Sequence, residues 1–135
     1  MAVKVLTNAL VTINTVDLST KSNSVTLNYE VDSVETTVFG GTAHTFTGGL
    51  QNNSVDIEML QDFAASLTEA TIFPLVGTTT TLVIRADSGA VSATNPTYTI
   101  VGAFLAAHTP VAGGVGELMM SSLSFTGGTL TKTTA

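Results

Sequence analysis

The sequence has unusually few charged residues. Only 10% of its 135 residues are Asp, Glu, Lys or Arg, against roughly 25% in an ordinary soluble domain. Mean hydropathy is +0.42. Charge-poor apolar surface is typical of interfaces, so the composition predicts that part of this surface is covered by protein.

Cysteine and tryptophan are absent, and cations are few. Without cysteine the chain has no disulfide, no thiol nucleophile and no cysteine zinc site. Four Lys and Arg against ten Asp and Glu give a formal net charge of -6. This balance disfavours tight nucleic-acid binding, because several cations supply most of the affinity for phosphate.

Long apolar runs are also missing. The most apolar stretch, residues 100–115, contains His108, Pro110 and the pair Gly113–Gly114, and it is shorter than the about 20 residues that a spanning helix needs. Residues 1–16 lack the continuous apolar core and small-residue cleavage site of a secretory signal. We therefore expect no membrane partner.

Alternation of apolar and polar residues is the main local signal that is present. It predicts strands over residues 24–33 and 53–63, each with one buried face. The expected buried faces are Val25, Leu27, Tyr29 and Val31 in the first strand and Val55, Ile57 and Met59 in the second. Residues 9–19, 78–87, 97–107 and 116–127 are rich in Thr, Val, Ile and aromatics and also predict strands. Such spacing favours an antiparallel sandwich or barrel.

One segment predicts a short helix instead. Ser66 and Glu69 match a capping box, and Pro74 and Gly77 would end the helix. We predict a helix from about Ser66 to Phe73. Its face against the sheet would be Leu67, Ala70 and Phe73. Residues 126–135 lack an apolar pattern and are expected to extend freely or onto a neighbour.

Motifs for catalysis or cofactor binding are not found. Two Gly-Gly pairs in residues 34–53 suggest a phosphate loop, but no lysine lies between Lys21 and Lys132. Neither His44 nor His108 has metal-ligand spacing, and nothing in the sequence pairs either with a serine. No enzyme activity, metal or cofactor is predicted.

Two carboxylate pairs require a separate interpretation. Glu30 and Asp32, like Asp56 and Glu58, lie two residues apart and would share a strand face. Such pairs occur in glycosidases and calcium sites. A solvated acidic face, opposite the apolar one, is the interpretation we favour.

The order of several short patterns carries a family resemblance. The chain has Asp62–Phe63 after a polar strand, then a short helix ending near residues 75–77, a strand over residues 82–85, and the pattern Ser-x-x-Asn-Pro-x-Tyr over residues 92–98. This order resembles the tail tube (major tail) proteins of long-tailed, non-contractile bacteriophages. Residues 11–19 and 110–127 are similar to that family as well.

The resemblance implies one domain over residues 1–135, with extended N- and C-terminal segments. It implies an antiparallel β-sandwich or barrel with one short helix and a long inter-strand loop. Hexameric rings, whose inner sheets join into one barrel, would stack into a hollow tube through which double-stranded DNA passes without specific binding. Expected partners are further copies and the tape-measure, tail-terminator and distal tail proteins. The protein would be made in the host bacterial cytoplasm and end in the virion tail.

The resemblance also implies a role for residues 34–53, which occupy the place of the inter-ring loop. Relatives often carry Asp and Arg there, whereas residues 39–50 offer only His44. We therefore expect apolar and backbone contacts, with a mobile free loop whose phenylalanines bury on a partner. The candidate contact residues are Val38, Phe39, Gly40, Gly41, His44, Phe46, Gly48 and Gly49.

The carboxylates acquire an expected role on the same basis. A negative bore would repel DNA over roughly a Debye length of 8–10 Å. The candidates for this lining are Glu30, Asp32, Asp56 and Glu58. Alternatives to the tail tube are a capsid decoration or cement protein, then a carbohydrate-binding or host-recognition module, and third an enzyme.

Overall fold

A computed structural model describes residues 3–135, and in this range the chain is built almost wholly of strands. In chain order the elements are β1 (Leu10–Ile13), β2 (Val16–Asp17), β3 (Ser22–Asn28), β4 (Val31–Glu35), β5 (Phe46–Gln51), β6 (Ser54–Leu60), α1 (Thr68–Ile72) continued by a 3-10 turn (Phe73–Leu75), β7 (Thr79–Arg85), β8 (Thr97–His108), β9 (Met120–Thr126) and β10 (Thr129–Thr133).

Two antiparallel sheets contain the ten strands of residues 3–135. The larger has the order β2-β1-β7-β8-β9-β6-β3, and β10 pairs with β8 beside this path. The smaller consists of β4 and β5 alone. The mainly β, antiparallel fold with one short helix confirms the prediction from the sequence.

Strand β8 pairs with both β9 and β10, because β8 and the β9–β10 segment each bend. On one edge, β8 pairs with β10 over Thr97–Val101 and with β9 from Phe104 to His108. Gly102 and Gly128, where the two segments bend, have φ angles of +85° and +89°. Glycine adopts this left-handed region at low cost, so these residues allow the larger sheet to curve.

The curved larger sheet, which we call the barrel, encloses one apolar core. The alternation predicted for β6 is confirmed, since Val55, Ile57 and Met59 are buried and the two carboxylates between them are exposed. The largest fully buried side chains from other elements include Phe125, Ile13, Leu18, Ile72, Leu82, Ile100 and Leu105. The core is thus assembled from β1, β6, β7, β8, β9 and α1, whereas Val25 and Leu27 of β3 are only partly buried against it.

The first two predicted strands differ from the observed ones. Residues 9–19 form a hairpin of β1 and β2, because Asn14 and Thr15 adopt φ angles of 50° and 67° and turn the chain. The strand predicted over residues 24–33 ends at Asn28, and pairing resumes in β4. Tyr29 and Val31 are consequently exposed rather than buried.

The helix is shorter than predicted, and its capping box does not form. It begins at Thr68, and Ser66 lies outside it with a φ angle of 61°. Glu69 accepts a hydrogen bond from Gln61 instead of reaching back to Ser66. Thr68, Thr71 and Ile72 form the buried face, so the prediction of Ala70 and Phe73 as packing residues was wrong.

The C-terminal segment also differs from its prediction. Residues 129–133 do not extend freely but pair with β8 of the same chain, from Thr129 opposite Val101 to Thr133 opposite Thr97. Leu130 contributes to the core margin. The apolar signal was too weak because only this one residue of β10 packs inward.

Candidate functional site

The most prominent candidate surface is a projecting hairpin, which we call the arm and define as residues 31–51. It consists of β4, the loop over residues 36–45 and β5, with Glu35 opposite Phe46 and Val31 opposite Gln51. The arm continues the β3–β6 hairpin beyond the end of the larger sheet. The long loop predicted over residues 34–53 is therefore a loop over residues 36–45, flanked by the end of β4 and by β5.

Every residue of the arm is exposed. Phe39 at the tip is fully exposed and Phe46 is 62% exposed, and both are candidate contact residues from the sequence. Further large apolar side chains exposed on the arm are Val31, Val34, Val38 and Leu50. Within the part of the chain described, nothing covers these side chains, so they are free to bury on another molecule.

Hydrogen bonds order the loop of the arm despite its glycines. Nδ1 of His44 lies 2.6 Å from Oε2 of Glu35, which also accepts a hydrogen bond from the Thr37 hydroxyl at 2.9 Å. The backbone N–H of Thr36 donates to the carbonyl of Thr45 at 2.8 Å. These bonds connect the two sides of the loop close to its strands.

The four candidate glycines have two different structural roles. Gly40, with a φ angle of +88°, and Gly41 form the tip turn, in which Gly41 donates to the carbonyl of Val38. Gly48 and Gly49 instead lie inside β5. A Cβ on Gly49 would approach the side chains of Val34 and Asp32 to within 3.2–3.3 Å. Only the first pair therefore belongs to the loop.

The four candidate carboxylates fall into two groups along the β3–β6 hairpin and the arm. Asp56 and Glu58 lie on the exposed face of β6, and Ser124 donates to Oδ1 of Asp56 at 3.0 Å. Their cross-strand neighbours are short and polar: Ser24, Thr26, Ser122 and Ser124. Glu30 lies between β3 and β4 and Asp32 lies in β4, both at the base of the arm, so the strand predicted over residues 24–33 does not carry this pair as one face.

A second apolar surface, which we call the helix end, was missed in the sequence. It lies around α1 and the loop between β8 and β9, where Gln61 joins the two by donating to the Pro110 carbonyl at 2.7 Å. Its exposed large side chains are Phe63, Phe73, Val76, Val111, Val115 and Leu118. The signal that could have revealed it is the density of Val and Gly in residues 110–118, outside any strand.

The arm and the helix end lie at opposite ends of the barrel. Strand β6 begins beside the arm at Ser54 and ends at Leu60, just before the segment that leads to α1. The neighbouring strand β9 runs antiparallel, with Thr126 opposite Ser54 and Met120 opposite Leu60. The loop that precedes β9 is therefore at the same end as α1. One molecule thus carries two different apolar surfaces that face away from each other.

A buried Ser–His–Glu arrangement fastens the helix end to the sheet. The side chain of His108 is 1% exposed, with Nε2 3.0 Å from Oε2 of Glu69 and Nδ1 3.0 Å from Oγ of Ser121. The hydrogen bond with His108 lowers the pKa of the Glu69 carboxyl, and the bond from Gln61 adds to this effect. No sequence motif indicated the pairing.

This arrangement connects structural elements and encloses its serine. Ser121 is fully buried, and its hydroxyl also donates to the Thr109 carbonyl at 3.1 Å. A nucleophile must be accessible to its substrate, and the buried Ser121 hydroxyl is not. The contacts join α1, β8 and β9 at one point.

Among residues 3–135, no group of three His, Asp or Glu side chains could hold a metal ion. Over the same range, no helix has the length and apolar character to cross a bilayer.

Comparison with solved structures identifies the fold as that of tail-tube-type proteins. The chain is similar to one in the sheath–tube complex of an extracellular contractile injection system, PVC, in the extended state, with a TM-score of 0.70 and 13% identity over 98% of this chain and 92% of that one. A chain of the sheath/tube terminator of that system is also similar, with a TM-score of 0.71 and 12% identity over 96% of each chain.

A third similar structure comes from a different particle. A chain in the virion of a native gene transfer agent aligns with a TM-score of 0.69 and 12% identity, over 93% of this chain and 95% of that one. No family model matches the sequence, and no curated protein matches it. At these identities the likeness establishes the fold.

Proposed function

We propose that this chain is a structural tail protein whose copies form rings that stack into a hollow tube. The observation that carries the proposal is the position of two unlike apolar surfaces, the arm and the helix end, at opposite ends of one barrel. A contact between two unlike surfaces that face away from each other repeats without closing, so it generates an open stack. The shared fold supports the same role.

The finer features of the proposal come from the sequence resemblance. Each ring contains six copies, and its inner sheets join into a continuous barrel. Double-stranded DNA passes through the bore without specific binding. The tail is long and non-contractile, unlike the contractile system among the structural neighbours. The tube contacts tape-measure, tail-terminator and distal tail proteins, and the protein moves from the host cytoplasm into the virion without a catalytic role.

Stacking is proposed to occur through the arm. Phe39, Phe46 and Val38 would bury on the helix end of a copy in the next ring. Burial of each large side chain contributes about 1.5–3 kcal/mol. Repeated around a ring, this gain offsets the conformational entropy that the exposed side chains lose when they dock.

The bore is proposed to be lined by the exposed face of β3, β6 and β9. Asp56 and Glu58 supply negative charge there, among serine and threonine side chains. Phosphates would be repelled by these carboxylates and would find no cation on that face to bind. Glu30 and Asp32 would extend the acidic lining to the base of the arm.

A capsid decoration protein is the second candidate, because it would also be β-rich, charge-poor and oligomeric. A decoration protein forms small closed oligomers, whereas the two surfaces described here favour open stacks. The size distribution at rising concentration therefore separates the two functions.

Complementation between two variants tests the proposed stacking. Phe39→Ser with Phe46→Ser removes the arm contact, and Phe63→Ser with Phe73→Ser removes the helix-end contact. In sedimentation velocity each variant alone should remain unstacked. A mixture of the two should form complexes of limited size, because only one intact pair of surfaces remains. Full stacking by either variant alone would contradict the proposal. Circular dichroism identical to the wild type is the control for folding.

A further inference from the structure

The direction in which the arm projects must be set at its base. All of its residues are exposed, so no buried side chain of the arm holds it against the barrel. The regular pairing of β3 with β6 ends at Asn28 opposite Ser54, and that of the arm begins at Val31 opposite Gln51. Between these pairs lies a gap in the ladder, which a flexible junction would turn into a hinge.

One buried side chain occupies that gap. Asn53 is 1% exposed, and its Oδ1 accepts a hydrogen bond from the backbone N–H of Glu30 at 3.3 Å. The N–H of Asn52 donates to the carbonyl of Glu30 at 2.8 Å. The side chain of Asn53 therefore replaces a backbone partner at the point where the ladder is interrupted.

The same side chain connects the arm to the C-terminal strand. Nδ2 of Asn53 donates to the Gly128 carbonyl at 3.1 Å, and the Asn53 carbonyl accepts from the N–H of Gly127 at 2.9 Å. Nδ2 also donates to Oε1 of Gln51, which accepts a second bond from the N–H of Leu130. Asn53 and Gln51 thus join the base of the arm to the start of β10.

We propose that Asn53 and Gln51 are positioning residues that fix the direction of the arm relative to the barrel, using β10 as the anchor. Buried amide hydrogen bonds suit this role, because a donor or acceptor left unpaired in a buried site is costly. A different direction of the arm would break the bond from Nδ2 of Asn53 to Gln51 and leave the buried Asn53 amide without one of its partners. The bend of β9–β10 at Gly128 and the direction of the arm are therefore coupled.

This inference concerns the free protomer, whereas its consequence for assembly rests on the proposed function. A pre-directed arm loses less entropy on docking than a mobile one, so stacks would form at lower protein concentration. If the arm proved fixed but no stacks formed, the positioning role would stand and the tube function would fail.

Distances between two spin labels test the positioning directly. The chain has no native cysteine, so Thr47→Cys on the arm and Ser122→Cys on β9 introduce the only two thiols. Pulsed EPR on labelled protein, diluted with unlabelled protein, should give one narrow distance distribution. Asn53→Ala and Gln51→Leu should each replace it with a broad one. Asn52→Ala is the matched control, because this neighbouring side chain is exposed and its backbone bond is retained.

Two variants are used because one of them, Asn53→Ala, could fail to fold. Asn53 is buried, so its variant is interpreted only if circular dichroism shows the native fold. Gln51 is exposed, and its variant decides the question if Asn53→Ala does not fold. A narrow distribution in a folded variant, equal to that of the wild type, would overturn the proposal. A broad distribution in the wild type would overturn it as well.

Discussion

Oε2 of Glu69 lies 3.0 Å from Nε2 of His108, and the imidazole is almost completely enclosed by the protein. The hydrogen bond from this imidazole is the largest cause that lowers the pKa of the Glu69 carboxyl below its ordinary value of 4.5. A second bond, from Gln61, acts in the same direction, while partial burial opposes both.

The pair predicts an acid-dependent loss of stability. A carboxyl with a lowered folded-state pKa stabilises the fold above its unfolded pKa, and this contribution disappears as pH falls through the folded value. The difference in Tm between the wild type and Glu69→Gln should therefore be largest near pH 7 and shrink as pH falls below 4.5. Thermal unfolding across pH measures it.

An exposed carboxylate provides the control for this titration. Glu58→Gln should change Tm little, because the side chain is exposed. The pKa of the Asp62 carboxyl is also lowered, mainly by its hydrogen bond with Lys21. Asp62 is present in the wild type and in both variants, so its contribution cancels when their Tm values are subtracted. A Tm difference for Glu69→Gln that is constant with pH would contradict the assignment.

Two adjacent glycines give a matched prediction about the bend of β9–β10. A Cβ on Gly128 would lie 2.7 Å from Cγ2 of Ile100 and 2.8 Å from the Val101 carbonyl, whereas Gly127 has open space and a similar φ angle of +78°. Gly127→Ala should cost only the left-handed backbone, about 1–2 kcal/mol. Gly128→Ala should cost about 1–3 kcal/mol more from overpacking. Urea unfolding measures both losses, and equal values would contradict the close packing.

Two phenylalanines distinguish the core from the arm. Phe125 is buried, so Phe125→Ala should lower the free energy of unfolding by about 3–5 kcal/mol. Phe39 is fully exposed, and Phe39→Ala should change it by less than about 0.5 kcal/mol. Urea unfolding at concentrations too low for assembly makes the comparison. A large loss for Phe39→Ala would instead indicate that the arm folds back onto the barrel.

Thiol labelling tests the assignment of the bore. Ser124→Cys places a single thiol beside Asp56 on the exposed face of β9. In free protomers it should react with both a small maleimide and a bulky polyethylene-glycol maleimide. In assembled tubes the small reagent should still react and the bulky one should be excluded. Equal reaction of the bulky reagent in tubes would place this face on the outside.

The sequence predicted the parts of the fold that depend on local alternation. Val55, Ile57 and Met59 face the core as expected, since their period of two matches a half-buried strand. The break after Asn28 was not predicted, because Tyr29 and Val31 continue the same alternation into the exposed arm. Periodicity reports local geometry and does not show where a strand leaves its sheet.

Features that depend on distant contacts were missed for a related reason. His108 is 13 residues from Ser121 and 39 from Glu69, so no short motif records their meeting. Glu69 was assigned to a capping box, but its carboxylate binds the tertiary partners instead. The candidate loop residues were located from the family resemblance, whereas the helix end became visible only once α1 and the β8–β9 loop had been placed together.

The most direct test of the central claim is negative-stain electron microscopy of the purified protein across a concentration series, with light scattering on the same samples. The account predicts hollow tubes or stacked rings that lengthen as concentration rises, and their loss in Phe39→Ser with Phe46→Ser. Monomers or small closed oligomers of constant size at every concentration would contradict it and favour the decoration protein.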